Sequence, residues 1–215
     1  MIVEEMMNQD VITLNPSATI ADAINLIRTH NIRHIPIVNH DFTIAGIVSD
    51  RDIRDASPSI FQPSDLANDL HKPVADLMTR NVITAHPLDF VEEIAGIFYE
   101  HNIGCVPIVK EHKLVGIVTE KDMLHTLIQL TGAHQPGSQI EVKVDDRPGI
   151  LAELAALLKN SNINILSILV YPSPTINEKI LVFRIQTLNP MMVVTKLKQN
   201  GYNVINWPQV PGASS

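Results

Sequence analysis

The 215-residue sequence contains one cysteine, one tryptophan and few aromatic residues of any kind, 4% in all. A single thiol, Cys105, permits no internal disulfide and suits a reducing compartment. It precedes an apolar strand pattern, so a small buried side chain is the first reading and a reactive thiol the second. Basic residues are also scarce: 16 Lys and Arg stand against 23 Asp and Glu, a formal net charge of −7. Such an acidic chain has no general electrostatic footprint for nucleic acid or for an anionic membrane surface. No apolar run approaches the roughly 20 residues needed to cross a bilayer. Glu4 and Glu5 stand where a signal peptide would have a basic flank and apolar core, and the protein is expected to be soluble and cytoplasmic.

The usual catalytic signatures are missing as well. There is no Gly-x-Gly-x-x-Gly, no Gly-Lys-Ser/Thr phosphate loop, no Gly-x-Ser-x-Gly elbow and no His-Glu-x-x-His pair. The histidines are not at metal-ligand spacing. His30 and His34 lie four apart, but a helix ending near Asn31 would not hold both on one face. No catalytic residue, metal site or cofactor is assigned from the sequence.

What the chain does have is a duplication. Val3, Met7, Val11-Ile12-Thr13, Pro16, His30-Asn31-Ile32, Pro36-Ile37-Val38, Gly46-Ile47-Val48 and Asp52 recur in order. Their counterparts are Val74, Met78, Val82-Ile83-Thr84, Pro87, His101-Asn102-Ile103, Pro107-Ile108-Val109, Gly116-Ile117-Val118 and Asp122. The offset is 71 residues as far as Val38 and 70 from Gly46, so one deletion falls in the polar stretch between two strands. A duplicated unit of this size packs against its own copy about a pseudo-twofold axis and creates clefts at the joint.

Each copy opens with a short helical face, Val3, Met6 and Met7 or Val74, Leu77 and Met78. An extended piece ending near Thr13 or Thr84 follows. Helices then start after Thr19, with Asp22 three residues on, and after Asp89, with Glu92 three residues on. Their apolar stripes agree position for position: Ile20, Ala23, Ile24, Ile27 against Val91, Ile94, Ala95, Phe98. Paired strands, Ile35 to Val38 with Ile44 to Val48 and Val106 to Val109 with Leu114 to Val118, read as hairpins. A last helix begins at Ser49 or Thr119, and Pro58 cuts the first of these short. Each copy is thus β-α-β-β-α with a helical lead-in.

Gly132, Pro136, Gly137 and Ser138 mark a change of pattern. Beyond them the order reads βαββαβ, a ferredoxin-like arrangement. The expected organisation is α+β: a first copy over 1–57, a connector over 58–71, a second copy over 72–134, a ferredoxin-like domain over 138–207 and a loose tail over 208–215.

The chemistry concentrates in Gly46-Ile-Val-Ser49-Asp-Arg51-Asp52 and Gly116-Ile-Val-Thr119-Glu-Lys121-Asp122. Either turn can be a plain capping box, the hydroxyl accepting from the first helical turn while the Asp reaches back. Each also sits at a strand-to-helix junction, where N–H groups and the helix dipole can receive a phosphate. The Asp would repel a phosphate but would accept from both hydroxyls of a ribose. Hydroxyl, base and carboxylate in one turn therefore suit a ribonucleotide better than a free anion.

These ordered motifs, V-x-T-x-x-P, then h-P-V/I-V, then G-I-V-[ST]-x-x-D, resemble a pair of cystathionine-β-synthase (CBS) domains over roughly residues 1 to 134. The resemblance implies an adenine nucleotide, AMP, ADP or ATP, held between the copies. The residues it implicates are Thr13, Ile35, Pro36, Ser49, Arg51 and Asp52, with Thr84, Val106, Pro107, Thr119, Lys121 and Asp122. Arg33 and His34 precede the first proline strand, where the second copy has Gly104 and Cys105. They are candidates for phosphate contact or for solvated surface charge.

The segment from about 138 to 207 resembles an ACT domain, carried by Asp145-Asp146-Arg147-Pro148-Gly149-Ile150-Leu151 and Asn162-Ile163-Asn164-Ile165. The resemblance implies an amino-acid effector at Asp145, Asp146, Pro148, Gly149, Ile150 and Asn162, or a dimerisation surface without ligand. Two CBS units and one ACT unit together resemble a family of acetoin-utilisation regulators. That likeness implies a non-catalytic homodimer that acts on an unidentified protein target in acetoin or butanediol catabolism, in some bacteria with an effect on sporulation. A ligand-free structural adaptor, or a regulator of another carbon or amino-acid pathway, is the alternative.

Overall fold

The structure, a computed structural model, describes residues 1–56 and 70–208. The expected connector over 58–71 and the tail over 208–215 lie almost wholly outside the described residues. The chain divides into two compact units, one from Met1 to Leu124 and one from His125 onward.

The first unit holds both copies. The first runs through a 3-10 turn at Val3–Glu5, α1 (Ile20–His30), β1 (His34–Val38), β2 (Ile44–Ser49) and α2 (Asp50–Ala56). The second repeats it as Val74–Asp76, α3 (Val91–His101), β3 (Cys105–Lys110), β4 (Lys113–Thr119) and α4 (Glu120–Leu130), which continues past Leu124. The expected opening strand of each copy contracts to one parallel bridge, Leu14 to Ile37 and Ala85 to Ile108, one residue beyond Thr13 and Thr84. Proline on both sides explains the contraction. Pro36 and Pro107 have no N–H to donate, and Pro16 and Pro87 stand two residues after the bridging Leu14 and Ala85.

Helix boundaries follow local chemistry. Thr19 and Asp22 form the expected box, the Thr19 N–H donating to the Asp22 carboxylate at 2.9 Å and Asp22 N–H to the Thr19 hydroxyl at 3.1 Å. In the second copy the start is one residue later than expected: Phe90 is the cap, and its N–H donates to Glu93 at 2.8 Å. Asp89 instead accepts from the N–H of His86 at 2.7 Å, closing the turn before the helix. Both helices stop at an asparagine in the left-handed region, Asn31 and Asn102, each at φ 51°. Asparagine tolerates that conformation better than most residues, which accounts for the repeated His-Asn-Ile.

The 71-to-70 offset is resolved at the hairpins. In the second copy Glu111 and His112 have φ of 50° and 65°, a two-residue turn of the type that matches strand twist. In the first, Asn39 N–H bonds to Thr43 O at 2.9 Å around a three-residue loop whose last member, Phe42, has φ 66°. The two hairpins meet at a bridge between Thr43 and Lys113. Those residues are each other's counterparts, so the pseudo-twofold passes between them.

The two lead-ins are exchanged between copies. Val3 is buried in the second core with Ile94, Phe98, Val106, Ile108 and Val118, and Met6 and Met7 pack beside it. Val74 and Met78 are buried in the first core with Ile20, Ala23, Ile35, Ile37, Val48 and Ile53. The backbone seals the swap reciprocally. Asn8 and Ile117 exchange N–H to O bonds at 3.0 and 2.9 Å, and Thr79 and Ile47 exchange theirs at 2.9 Å each. Ile2 bridges to Phe90 as Pro73 bridges to Thr19. The repeated glycines fit this arrangement. A Cβ on Gly116 would lie 2.5 Å from Met7 Sδ, and one on Gly46 would lie 2.6 Å from Met78 Sδ and 2.9 Å from Thr79 O.

The second unit is the βαββαβ fold: β5 (Ser138–Asp145), α5 (Ile150–Lys159), β6 (Ile165–Pro172), β7 (Glu178–Ile185), α6 (Met191–Gln199) and β8 (Asn203–Asn206). Its sheet order is β6-β7-β5-β8, antiparallel throughout. Ile140, Val142 and Val144 alternate inward and meet Leu154 and Leu158 of α5 and Val193, Val194 and Leu197 of α6. The residues before β5 are fastened to the sheet. The Ser167 hydroxyl donates to Thr131 O at 2.7 Å and Arg184 Nη2 to Gln135 O at 2.8 Å.

Replacing Gly116 or Gly46 by Ala is expected to lower unfolding stability by about 1–3 kcal/mol, the ordinary range for overpacking. In denaturant titrations of the full chain, Met7→Ala in the Gly116→Ala background should show favourable coupling. Met78→Ala should relieve Gly46→Ala less, because the backbone carbonyl of Thr79 stays in the way.

Candidate functional site

The exchange places the start of the chain beside the last turn of β4. A cleft of about 580 Å³ opens there, lined by Asn8, Asp10, Val11 and Ile12 from the lead-in strand and Thr119 to Asp122 from the second turn. Arg33 and His34 of the first copy and Gly104 of the second complete the wall, with Asn31, Ile32, Ile117 and Leu124. Of the residues expected from the sequence, five converge in this cleft: Arg33, His34, Thr119, Lys121 and Asp122.

The others are distributed differently. Ser49, Arg51 and Asp52 occupy the equivalent junction at the end of β2 and do not line this cleft, although Ser49 pairs across the hairpin with His34, which does. Ile35 and Val106 are fully buried in the two cores, and Pro36 and Pro107 are buried beside them, so a ligand could meet little more than their backbones. Thr13 is half-buried next to Ile12, and Thr84 is exposed. Asn8, Asp10 and Glu120 were not expected from the sequence. Repetition marked the lead-in but could not show that it crosses to the other copy.

Both turns are capping boxes. Asp122 Oδ2 accepts from Thr119 N–H at 2.8 Å and from its hydroxyl at 2.6 Å. Asp52 Oδ2 accepts from Ser49 N–H and hydroxyl, both at 2.7 Å. All these bonds fall on one carboxylate oxygen. The box therefore fixes each Asp without consuming its second oxygen.

His34 lies where the copies meet. A Cβ on Gly104 would approach its ring to 3.1 Å, so glycine there makes room for the imidazole. Burial holds the His34 pKa below its ordinary value, against opposing influences from Asp50, Asp52 and Glu120, and Arg33 adds to the lowering. The ring is therefore neutral at neutral pH. Cys105, its counterpart, is buried, and burial pushes its thiol up to about 12, which leaves it unreactive. Among the described residues no group of three His, Cys, Asp or Glu side chains converges as metal ligands would. No helix there is long and apolar enough to cross a membrane.

The candidate effector loop of the second unit is braced by charge. Arg147 forms two bonds of 2.7 Å to Glu153, and the Tyr202 hydroxyl donates to Glu153 Oε2 at 3.0 Å. The Arg147 bonds first, then Tyr202, hold the Glu153 carboxyl below its usual range. Asp146 is ion-paired with Lys179, while Asp145 and Pro148 are exposed. Gly149 caps α5 at φ 86°, a conformation that favours glycine. Ile150 points into the core. Asn162 does not join this group. It stands beyond the far end of α5, about 15 Å along the helix axis, in a groove with Met191, Met192 and Lys196.

The CBS domain family model matches residues 3–59 and 74–129. The chain belongs to the CBS-domain family. The ACT domain model matches residues 138–190. CBS-domain proteins are typically regulatory and bind adenine nucleotides. A CBS domain-containing protein of Dictyostelium discoideum is 30% identical over 64% of this chain and 98% of its own length. The crystal structure of a Vibrio cholerae protein described as the acetoin utilization protein AcuB is similar at 33% identity and a TM-score of 0.54, over 63% of this chain and 98% of that one. The CBS domain pair of protein MJ0100, solved with 5′-methylthioadenosine and S-adenosyl-L-methionine, is 30% identical with a TM-score of 0.52, over 63% of this chain and 98% of its own. Some enzymes also match, such as the inosine-5′-monophosphate dehydrogenase of Methanocaldococcus jannaschii at 32% identity. The match spans only 22% of that enzyme, so what is shared is a module.

A histidine whose pKa is lower folded than unfolded binds its proton less readily in the native state. Its contribution to stability is complete above the unfolded value, 6.5, and is lost as pH falls below it toward the folded pKa. Unfolding free energy should therefore decline on acidification below that value. His34→Gln should remove this component, read as the difference between the two pH profiles in denaturant melts.

Proposed function

We propose that the chain is a non-catalytic regulator whose CBS pair senses an adenine nucleotide, AMP, ADP or ATP, and passes that state to a protein target. The observation that supports this most directly is the Thr119–Asp122 turn opening on the 580 Å³ cleft. The capping box orients Asp122 through Oδ2, and its second oxygen is free to accept from a ribose hydroxyl. The N–H groups at the start of α4, with Lys121 and Arg33, suit a phosphate. The ligands of the MJ0100 pair support an adenosine-class molecule. The Ser49–Asp52 junction and Arg51 form a second candidate position. The likeness to AcuB supports a place in acetoin or butanediol utilisation.

The ACT domain is proposed to bind an amino acid at the Asp145–Gly149 loop or to pair with a second copy of itself. The pairing is favoured by the open edge strand β6, where Val170 and Tyr171 are 54% and 47% exposed. A homodimer in a cytoplasmic setting fits this reading, with no role for nucleic acid or membrane.

Calorimetry on the full chain should show adenine nucleotide binding, and ligand at about 100 times its Kd should raise stability by roughly 2.7 kcal/mol. Asp122→Ala should weaken binding by about tenfold or more, since a hydrogen bond to a charged group is worth roughly 1.5–3 kcal/mol. Equal affinity in wild type and variant, with only ligand-free stability reduced, would show that the turn is a helix cap and nothing else. Light scattering at micromolar concentration should give a dimer mass, and a monomer would sink the pairing.

A further inference from the structure

The two strand-to-helix junctions carry different charge. On α2, Asp50 is neutralised by Arg54 at 3.4 Å, one helical turn away. The counterpart of Arg54 on α4 is Leu124, so Glu120 has no cation in that place. Asp10 is the second difference, because its counterpart in the other copy is Asn81. Both carboxylates line the cleft, and neither forms an ion pair among the described residues. Glu120 Oε2 lies 3.6 Å from where a Cβ on Gly104 would sit, so it leans across the wall toward His34. The charged lining is therefore Asp10, Glu120 and Asp122 against Arg33 and Lys121, with His34 neutral.

We infer that this cleft selects an adenosine-class ligand with at most one phosphate, and that Asp10 and Glu120 set the selection. The inference rests on the nucleotide reading above and sharpens it. Each further phosphate adds negative charge to a cavity whose fixed charges already sum below zero, and those charges act over a few ångströms inside a partly enclosed wall. AMP can place its one phosphate between Arg33 and Lys121. The second and third phosphates of ATP would have to extend past Glu120 or Asp10.

The test follows the assigned backbone amide resonances of Ile12 and Lys121 in the full chain by NMR while adenosine, AMP and ATP are titrated in turn, since both residues line this cleft and neither belongs to the Ser49–Asp52 junction. Wild type should bind AMP at least about tenfold tighter than ATP at low salt, with the ratio shrinking as salt rises. In the Asp10→Asn, Glu120→Gln double variant the AMP-to-ATP ratio should fall toward one. Both side chains are exposed, so the fold tolerates the change. ATP binding as tightly as AMP in wild type, or a ratio that the double variant leaves unmoved, would overturn the charge selection while leaving nucleotide binding intact. Ile12 and Lys121 signals that respond to none of the three ligands would overturn both readings together.

Discussion

The N-terminal half of this protein depends on one reciprocal contact, made twice: a methionine from the lead-in of one copy lying across a glycine in the last strand of the other. Met7 over Gly116 and Met78 over Gly46 bring the backbones close enough for paired hydrogen bonds at Asn8–Ile117 and Thr79–Ile47. Glycine is required because any side chain would occupy the space that the methionine fills. Methionine suits the other half of the contact, its unbranched thioether conforming to a flat strand surface. With the lead-ins so placed, each hydrophobic core is completed by residues from the opposite copy, and neither copy has a full core of its own.

The cleft follows from that exchange. Residues 8–12 are carried by the lead-in to the end of β4, where the Thr119–Asp122 turn stands, while Arg33 and His34 approach from the first copy. The site is consequently composite in sequence terms, drawing on three stretches separated by some twenty to ninety residues. Its polar groups are fixed before any ligand arrives. Asp122 is held by Thr119, and His34 is seated against Gly104. Such preorganisation reduces the ordering cost of binding.

Much of this was legible in the sequence because the chain states it twice. Periodicity and caps placed α1, the hairpins and the βαββαβ unit, and the recurring Ser/Thr-x-x-Asp turn is a capping box in both copies. Where the reading missed, local signals competed. Asp89 and Phe90 both precede α3, and the side chain of Asp89 went to His86 while Glu93 took the cap. Asn162 was grouped with Asp145 and Gly149 by motif, although a full helix separates them. The exchange of lead-ins is invisible to any pattern within one copy, because Val3 and Val74 would fill either core equally well. Sequence spacing therefore gave the residues of the cleft near Thr119 and left out Asn8, Asp10 and Glu120.

The bridge between Thr43 and Lys113 lies on the pseudo-twofold, where each residue faces its own counterpart. Two separate chains of a single copy, joined about a true twofold, would have to present identical side chains at every equivalent position. Covalent fusion lifts that requirement. Here it permits a histidine to face a cysteine's position across the axis, an arginine to stand where its mate is leucine, and one hairpin to be a residue shorter than the other. Two junctions that began as copies are thereby free to diverge in shape and charge, a freedom that a symmetric pair of identical chains does not have.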